Sequence, residues 1–335
     1  MNTIFNILLT YNDFHRQILE GYSMNKHNCF TLLLLIGSLT FDVRANQDKS
    51  HNKVIIKHYT VTAKSQEDQR DTYYLELLRL VLEKTKPEFG KYQLEPIAFA
   101  MNQQRALMHL GKGNIDVIWS MTSQERESLK HSTPIYIPLI KGLLGYRIFL
   151  IRKGEQNRFS RINTIEELKE KVAGQGNDWP DYYILKQNDL PVVSSSYYSA
   201  LFEMLEIGRF DYFPRGVMEP WTELTVQSSE KFEIEKELML HYPTAMYFFV
   251  ANNNPMLKKR ITKGLNMAIE DGSFEKLLCS HPYLNPVFNL ANMDKRRVFE
   301  LENNLSDKTR ALFLNKKLWF DFTSAPTKQS SKGCQ

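Results

Sequence analysis

Two arginines that follow predicted strands are the residues of this chain best suited to hold a small polar ligand. Arg126 follows an apolar strand predicted at 115–119, and Arg215 follows a shorter one at 210–213. A guanidinium presents a rigid fork of donors that matches a carboxylate, and ligands of open α/β sheets bind beyond the carboxyl ends of strands. In the alternative interpretation, Arg126 pairs with a neighbouring glutamate on a solvated helix start.

Other candidate side chains surround the first arginine in sequence. Thr122 and Ser123 add hydroxyl groups on the same predicted loop, and Tyr59 and Trp119 lie near strand ends, where they could form an aromatic wall. Arg105, near a helix start, completes this candidate set. Strand-end aromatics are more often core residues, and a surface salt bridge explains Arg105 equally well.

A third candidate segment, residues 174–181, reads Gly-Gln-Gly-Asn-Asp-Trp-Pro-Asp and joins a predicted strand to a helix. Free N–H groups at such a helix start attract anions, with Asp178 near the ligand and Trp179 stacked on it. Helix capping is the alternative, in which Asn177 or Asp178 caps the helix, Pro180 occupies its first turn and Trp179 packs on the core.

The elements that position these residues alternate between strand and helix patterns. Predicted strands occupy residues 54–59, 92–98, 115–119, 146–151, 172–176, 210–213 and 247–250. Predicted helices occupy residues 72–85, 163–171, 198–207 and 254–271. A capping box from Asn163 to Glu166 begins the second of these helices, and Asn254 with Pro255 begins the last. This alternation predicts an α/β fold.

Composition excludes several functional classes. The 335 residues carry a mild and dispersed net charge of +5, without a basic block interleaved with aromatics, so no nucleic-acid partner is expected. The sequence has no group of histidine, cysteine and carboxylate residues at the spacing of metal ligands, no Gly-rich phosphate-binding loop and no nucleophile elbow. It therefore predicts no metal, cofactor or catalytic residue. Cys279 and Cys334 could form a disulfide or remain free thiols.

The beginning of the chain predicts export. Residues 24–45 combine a basic start, an apolar run at 30–41 and a Val-Arg-Ala cleavage pattern, as in a cleaved secretory signal peptide. The apolar run is shorter than the ~20 residues of a transmembrane helix. Residues 1–23 do not resemble the start of an exported protein, so translation is expected to begin at Met24 and the mature protein to be periplasmic.

The order of elements across residues 105–154, together with the segments above, resembles the bacterial periplasmic solute-binding proteins of the type II fold. The resemblance is to the amino-acid-binding-like branch, the family 3 extracellular solute-binding proteins, and it covers roughly residues 52–282. It implies two lobes, each a mixed sheet flanked by helices, joined by a two-strand hinge that permits closure around a ligand.

The resemblance divides the chain at the two expected hinge crossings. The expected segments are residues 1–23 (upstream start), 24–45 (signal peptide), 46–145 (first lobe), 146–244 (second lobe), 245–322 (return to the first lobe with C-terminal helices) and 323–335 (disordered tail).

In amino-acid-binding relatives, a Thr-x-x-Arg segment grips the ligand's α-carboxylate. Residues 122–126 read Thr-Ser-Gln-Glu-Arg, so either Ser123 takes the threonine position or the loop is one residue longer. Relatives also carry an acid about five positions after the aspartate of a Gly-Arg-x-Asp segment, where this chain has Arg215 and Gly216. The pattern predicts an anionic ligand, a dicarboxylate or peptide-like acid, unless a shifted register lets Glu219 supply the missing acid.

The resemblance implies a monomeric binding protein that delivers a small solute, such as an amino acid, to an inner-membrane ABC permease, and not an enzyme. A stand-alone periplasmic sensor is the first alternative. An enzyme acting on the cell wall is the second, and Glu219 is the carboxylate that would test it.

Overall fold

Two separate sheets organise the chain in the computed structural model, which describes residues 53–60, 70–97, 101–227 and 229–320. The strands are β1 (Val54–His58), β2 (Tyr92–Pro96), β3 (Val117–Met121), β4 (Ser132–Pro134), β5 (Tyr146–Arg152), β6 (Ala173–Gly176), β7 (Val192–Ser195), β8 (Tyr212–Gly216), β9 (Phe232–Ile234), β10 (Leu238–His241), β11 (Met246–Ala251) and β12 (Arg297–Glu300).

The first sheet has the order β2-β1-β3-β11-β4 and defines the first lobe. The second sheet has the order β12-β10-β5-β8-β6-β7, with β9 also paired to β5, and defines the second lobe. The first is mixed because β1 pairs in parallel with β3 and β11 runs antiparallel to β3. The second is mixed because β6 pairs in parallel with β8 and β5 runs antiparallel to β8. The predicted α/β architecture of two mixed sheets is therefore confirmed.

Helices cover both sheets. They are α1 (Thr72–Lys84), α2 (Lys86–Phe89), α3 (Gln103–Gly111), α4 (Gln124–Glu127), α5 (Gln156–Phe159), α6 (Ile165–Leu168), α7 (Pro180–Gln187), α8 (Tyr198–Glu206), α9 (Glu219–Gln227), α10 (Pro255–Glu270), α11 (Ser273–Ser280), α12 (Asn285–Asn289) and α13 (Asp307–Leu312). Within the described ranges, no helix combines the length and apolarity needed to cross a membrane.

The long helices form where apolar residues recur at helical spacing. Tyr73, Leu77 and Val81 share the buried face of α1, which packs against α10. The predicted cap of α10 is confirmed, because the Asn254 side chain accepts a hydrogen bond from the Leu257 N–H at 3.1 Å.

The capping box of α6 lies one residue later than predicted. Thr164 and Glu167 form it, each side chain accepting from the other's backbone N–H, at 3.3 and 3.2 Å. Asn163 instead donates its side-chain amide to the Arg161 carbonyl at 2.9 Å, so the prediction of a box from Asn163 to Glu166 was wrong.

The hinge consists of two neighbouring crossings between the sheets. The chain enters β5 directly after Gly145 and leaves the second sheet after β10, and these strands pair antiparallel with Leu240 opposite Arg147. A Cβ atom at Gly145 would lie only 2.3 Å from the Tyr242 carbonyl oxygen. Glycine is therefore required where the two crossings touch.

The C-terminal part of the chain departs from the expected division. Residues 245–322 were expected to remain in the first lobe, but β12 pairs in parallel with β10 of the second sheet. An uncovered β10 edge would present unpaired backbone groups, which β12 satisfies. The chain then returns to the first lobe, where the hydroxyls of Ser306 and Thr309 donate to the Glu127 carboxylate. Two further crossings thus accompany the hinge.

Several sequence predictions fall outside the described residues, namely the upstream start, the signal peptide, the C-terminal tail and Cys334. Cys279 itself is disulfide-bonded.

Candidate functional site

A cavity of about 630 Å³ lies between the two lobes. The ends of β3, β6, β7 and β8 reach its wall through Ser120, Gly176, Ser195 and Arg215. Its volume is within the ~300–1,000 Å³ typical of small-molecule sites, and its location is the strand-end crevice where α/β sheets bind ligands.

The structure brings part of the predicted ligand set together in this cavity. Its wall includes Arg105, Trp119, Asp178, Trp179 and Arg215. The remaining candidates lie outside the wall: Tyr59, Thr122, Ser123 and Arg126.

Arg126 is a buried link between the lobes. Its Nη1 donates to Ser120 Oγ at 2.6 Å and to the Met121 carbonyl at 3.0 Å, and its Nη2 donates to the Asp178 carbonyl at 2.7 Å. Burial lowers the pKa of Arg126 to about 10, against the opposing pull of nearby acids. Arg126 therefore stays charged at neutral pH, and backbone and hydroxyl oxygens satisfy it.

The other candidates outside the wall have local structural roles. Ser123 caps α4 by accepting from the Arg126 N–H at 3.1 Å, and the Thr122 hydroxyl donates to Glu127. Tyr59 is buried in the smaller apolar cluster and donates its hydroxyl proton to the Met101 carbonyl.

Asp178 reaches from the second lobe to the first. Its carboxylate accepts from the Gln104 N–H at 3.1 Å, at the start of α3. Asn177 and Asp178 do not cap α7, contrary to the capping alternative, because Trp179 is the cap residue and makes no side-chain cap bond. Asp178 satisfies a free N–H of a helix in the opposite lobe instead.

The two tryptophans of the wall are held by neighbouring groups. Trp179 stacks on Phe213 with 6.3 Å between ring centroids. Trp119 donates its Nε1 proton to Asp71 Oδ1 at 2.7 Å and stacks on Tyr74 at 5.8 Å. Their rings are therefore positioned before any ligand contact, and each can still present an apolar surface to the cavity.

Arg215 is surrounded by acids and aromatic rings. Its Nη2 lies 2.7 Å from Glu223 Oε1 and 3.1 Å from Glu219 Oε1, and its guanidinium lies 4.9 Å from the Trp179 ring centroid. Burial lowers the pKa of Arg215, but the attraction of Glu219 and Glu223 outweighs that and raises it. The structure therefore places two acids, Glu219 and Glu223, beside the arginine next to which the sequence pattern expected none.

A second buried arginine lies beside this group. Arg147 Nη2 is 2.7 Å from Asp181 Oδ1, its Nη1 is 3.7 Å from Glu219 Oε2, and the Tyr242 hydroxyl donates to Asp181. Burial raises the pKa of Glu219, although Arg215 and Arg147 oppose the shift. Arg147, Asp181 and Glu219 all line the cavity near the hinge.

The fold is shared with solved two-lobed binding domains. The GluR0 ligand-binding core in complex with L-glutamate matches with a TM-score of 0.51 and 12% identity, over 68% of this chain and 97% of that chain. A mutant of ArgBP from T. maritima matches with a TM-score of 0.50 and 16% identity, over 69% of this chain and 95% of that chain. The Bordetella pertussis BvgS periplasmic VFT2 domain matches with a TM-score of 0.50 and 14% identity, over 68% of this chain and 92% of that chain. The chain has the two-lobed fold of the periplasmic solute-binding proteins. No protein-family model and no curated protein matches it.

Within this binding-protein fold, the sequence reasoning missed Arg147, Asp181 and Glu223. A sequence signal existed for Arg147, since it is the charged residue inside an otherwise apolar predicted strand. Glu223 lies one helical turn after Glu219, so both carboxylates can reach one partner. Asp181 lies in the predicted strand-to-helix segment 174–181, but its contact with Arg147 depends on the fold of the hinge.

The interlobe cavity has balanced charge in its wall. Its charged residues are Arg70, Arg105, Arg147, Arg215, Asp71, Asp178, Asp181 and Glu219. Equal numbers of cations and anions can satisfy a ligand with both charges. Across the described residues, no cluster of metal-ligating side chains accompanies them.

Proposed function

We propose that this protein is a periplasmic solute-binding protein that closes its lobes around a small polar solute of the amino-acid type. The observation that carries the proposal is the interlobe cavity, which lies at strand ends of both sheets and takes charged side chains from both lobes. The two hinge crossings touch at Gly145, so these chain connections between the lobes lie together at one edge of the cavity. This arrangement supports a hinge movement of the lobes.

The balanced wall supports a zwitterionic solute over the bare anion that the sequence pattern favoured. Glu219 lies against Arg215 and near Arg147, so a carboxylate placed beside them also meets a negative charge. An ammonium group on the same ligand removes that repulsion. L-Glutamate, bound by the GluR0 core, is one solute with both groups.

Thermal unfolding of the secreted protein tests this proposal against a panel of L-amino acids, dicarboxylates and short peptides. A ligand at 100 times its Kd stabilises the native state by about 2.7 kcal/mol, which raises the midpoint of a chain this size by roughly 4 °C. Glu219→Gln should reduce the shift, and Glu170→Gln, on the exposed surface, should not. A panel without any stabilising member would contradict the proposal.

In the cell, we propose that residues 24–45 direct export and that the ligand-loaded form docks on an inner-membrane ABC-type importer. N-terminal sequencing of the periplasmic protein should begin at Asn46. Cells that lack the gene should lose uptake of the labelled ligand. Normal uptake with a lost transcriptional response to that ligand would instead favour the stand-alone sensor.

A further inference from the structure

We propose that residues 301–320 form a strap along the hinge, and that the strap favours the closed arrangement of the lobes while it is attached to the first lobe. Detachment of the strap would favour opening. The residues of the strap all lie within the described ranges, and none of them lines the cavity. The strap therefore acts on the lobes from outside the ligand site, which takes it beyond the proposed function.

The strap begins beside the second hinge crossing. It follows β12, which pairs with β10 in the second sheet. The Leu301 N–H donates to the His241 carbonyl at 2.8 Å, and the Asn303 side-chain amide donates to the Pro243 carbonyl at 2.8 Å. Leu305 is buried. The strap therefore crosses between the lobes as a packed third connection beside the hinge.

The far end of the strap lies against the turn before the first hinge crossing. The Phe320 N–H donates to the Lys141 carbonyl at 2.8 Å. The Trp319 ring covers Gly142, where a Cβ atom would lie 2.7 Å from the ring. Its side chain makes the positive φ of Lys141, +49°, unfavourable, so neighbouring contacts have to hold this turn. Because residues 141–145 lead into β5, the strap contacts the chain at both hinge crossings.

The short helix α4 carries both a strap contact and a contact across the cleft. Glu127 accepts hydrogen bonds from the Thr309 hydroxyl at 2.7 Å and from the Ser306 hydroxyl. The preceding residue, Arg126, donates to the Asp178 carbonyl of the second lobe at 2.7 Å. Since α4 has only four residues, a shift of Glu127 displaces Arg126 as well. The attached strap thus holds α4 where Arg126 reaches the opposite lobe.

This arrangement couples the strap to the lobes in both directions. If attachment of the strap favours closure, closure must favour attachment by the same factor, because equilibrium coupling is reciprocal. Couplings between two sites of one protein are typically about 5- to 150-fold. The ligand-free protein suffices to measure such a factor, so the test does not depend on which solute the cavity binds.

Thr309→Val with Trp319→Ala should detach the strap from the first lobe and increase opening. Valine keeps the branched shape without the hydroxyl bonded to Glu127, and alanine removes the ring from the hinge turn. Opening is measured by hydrogen exchange at the Gln104 amide, which donates across the cleft to Asp178. In the secreted protein without ligand, this exchange should become at least about fivefold faster.

The matched control is Thr225→Val with Leu314→Ala, because both side chains are exposed. Its Gln104 amide should exchange at the wild-type rate. Amides of β3, inside the first sheet, should keep their wild-type rates in both double variants, which separates lobe opening from general destabilisation. A wild-type rate at Gln104 in the strap variant would overturn the proposal.

Asp178→Ala tests the same coupling from the second lobe, without changing the strap. Loss of its bond across the cleft should raise the open fraction about fivefold. Exchange at the Phe320 amide, which is bonded to Lys141, should therefore become up to about fivefold faster. Glu170→Ala, exposed on the second lobe, should keep the wild-type rate. A larger radius of gyration of Asp178→Ala with unchanged exchange at Phe320 would contradict the coupling.

The strap and the proposed function fail separately. Coupled exchange in a protein that no solute stabilises would support the strap and contradict the binding function. If a solute stabilises the protein but Gln104 exchange does not depend on the strap, the binding function stands and the inference fails. Should the strap variant not fold, Asp178→Ala still decides the inference, because it leaves the strap intact.

Discussion

Arg126 shows how the partners of a residue, and not its type, decide its role. It follows β3 as the arginine of amino-acid-binding relatives does, but its guanidinium donates to Ser120, Met121 and Asp178. Two of those partners belong to its own lobe and the third to the other lobe. Such an arginine stabilises one arrangement of the lobes, whether or not it touches the ligand.

His58 makes the stability of the first lobe depend on pH. The residue is 3% exposed, and its Nδ1 has no hydrogen-bond partner in the described chain. Burial, followed by the charge of Arg79, lowers its pKa from 6.5 to about 4. The folded state binds this proton less readily than the unfolded state. The contribution of neutral His58 to stability is therefore complete above pH 6.5 and is lost as the pH falls towards 4.

The unfolding midpoint should accordingly fall between pH 6.5 and 4, and His58→Phe should flatten this dependence. The His58 ring stacks on Trp119 with 6.1 Å between centroids, so phenylalanine preserves the support of the cavity wall. His109→Phe, on the outer face of α3, should retain the wild-type slope. Identical slopes for wild type and His58→Phe would refute the assignment.

Sequence patterns located part of the cavity wall but not its charge network. Arg215, Trp179 and Asp178 were found because strand ends and helix starts are recognisable locally. Arg147 reaches the same site through the pairing of β5 with β8, which sets it opposite Gly216. Strand register depends on the assembled sheet, so sequence periodicity could not show that Arg147 and Arg215 share their acids.

At the scale of elements, the packing of α10 on α1 requires one glycine. A Cβ atom at Gly264 would lie 2.4 Å from the Val81 carbonyl oxygen. Gly264→Ala should lower the free energy of unfolding by about 1–3 kcal/mol through overpacking, measured by urea denaturation. Gly272→Ala is no matched control because its φ is +77°. Asn266→Ala, on the outer face of α10, should have little effect.

The C-terminal segment is attached to the first lobe through one carboxylate. Glu127 accepts hydrogen bonds from Thr122, Ser306 and Thr309, the last at 2.7 Å. Hydrogen bonds to charged groups contribute about 1.5–3 kcal/mol each. Glu127→Ala should therefore destabilise the protein by roughly 2–4 kcal/mol and make the segment after β12 more sensitive to protease.

Glu125→Ala is the matched control on the same helix, because Glu125 is exposed and lies two residues earlier. Limited proteolysis followed by mass spectrometry should show early cleavage within residues 301–320 in Glu127→Ala alone. Equal cleavage in both variants would mean that other contacts hold the segment.

The predictability of each element followed the strength of its apolar pattern. The helix at 72–85 was evident because one face carries buried residues throughout, and α1 ends one residue earlier. β12 has a single buried residue, Phe299, so neither alternation nor a continuous apolar run identifies it. Its position depends on the open edge of β10, which exists only once the second sheet has formed.

For the whole molecule, contacts across the cleft should set the balance between open and closed lobes. Asp178 provides two of them, through its carboxylate to the Gln104 N–H and its carbonyl to Arg126, and the Arg70 guanidinium lies 4.2 Å from the Tyr198 ring centroid. The extra crossings on either side of β12 add connections beside the hinge. Opening of the lobes would therefore have to separate the contacts of Asp178 and Arg70 across the cleft. The chain crossings would limit the direction in which the lobes move.

Asp178→Ala tests this balance, since it removes the carboxylate contact and leaves the carbonyl contact to Arg126. Loss of a helix-capping bond costs about 1 kcal/mol, so the ratio of open to closed molecules should rise about fivefold. Small-angle X-ray scattering should record a larger radius of gyration for Asp178→Ala than for wild type, and Glu170→Ala, exposed on the same lobe, should match wild type. Under the proposed function the ligand contacts both lobes, so saturating ligand should restore the smaller radius. An unchanged radius, with wild-type affinity, would show that Asp178 does not hold the lobes together.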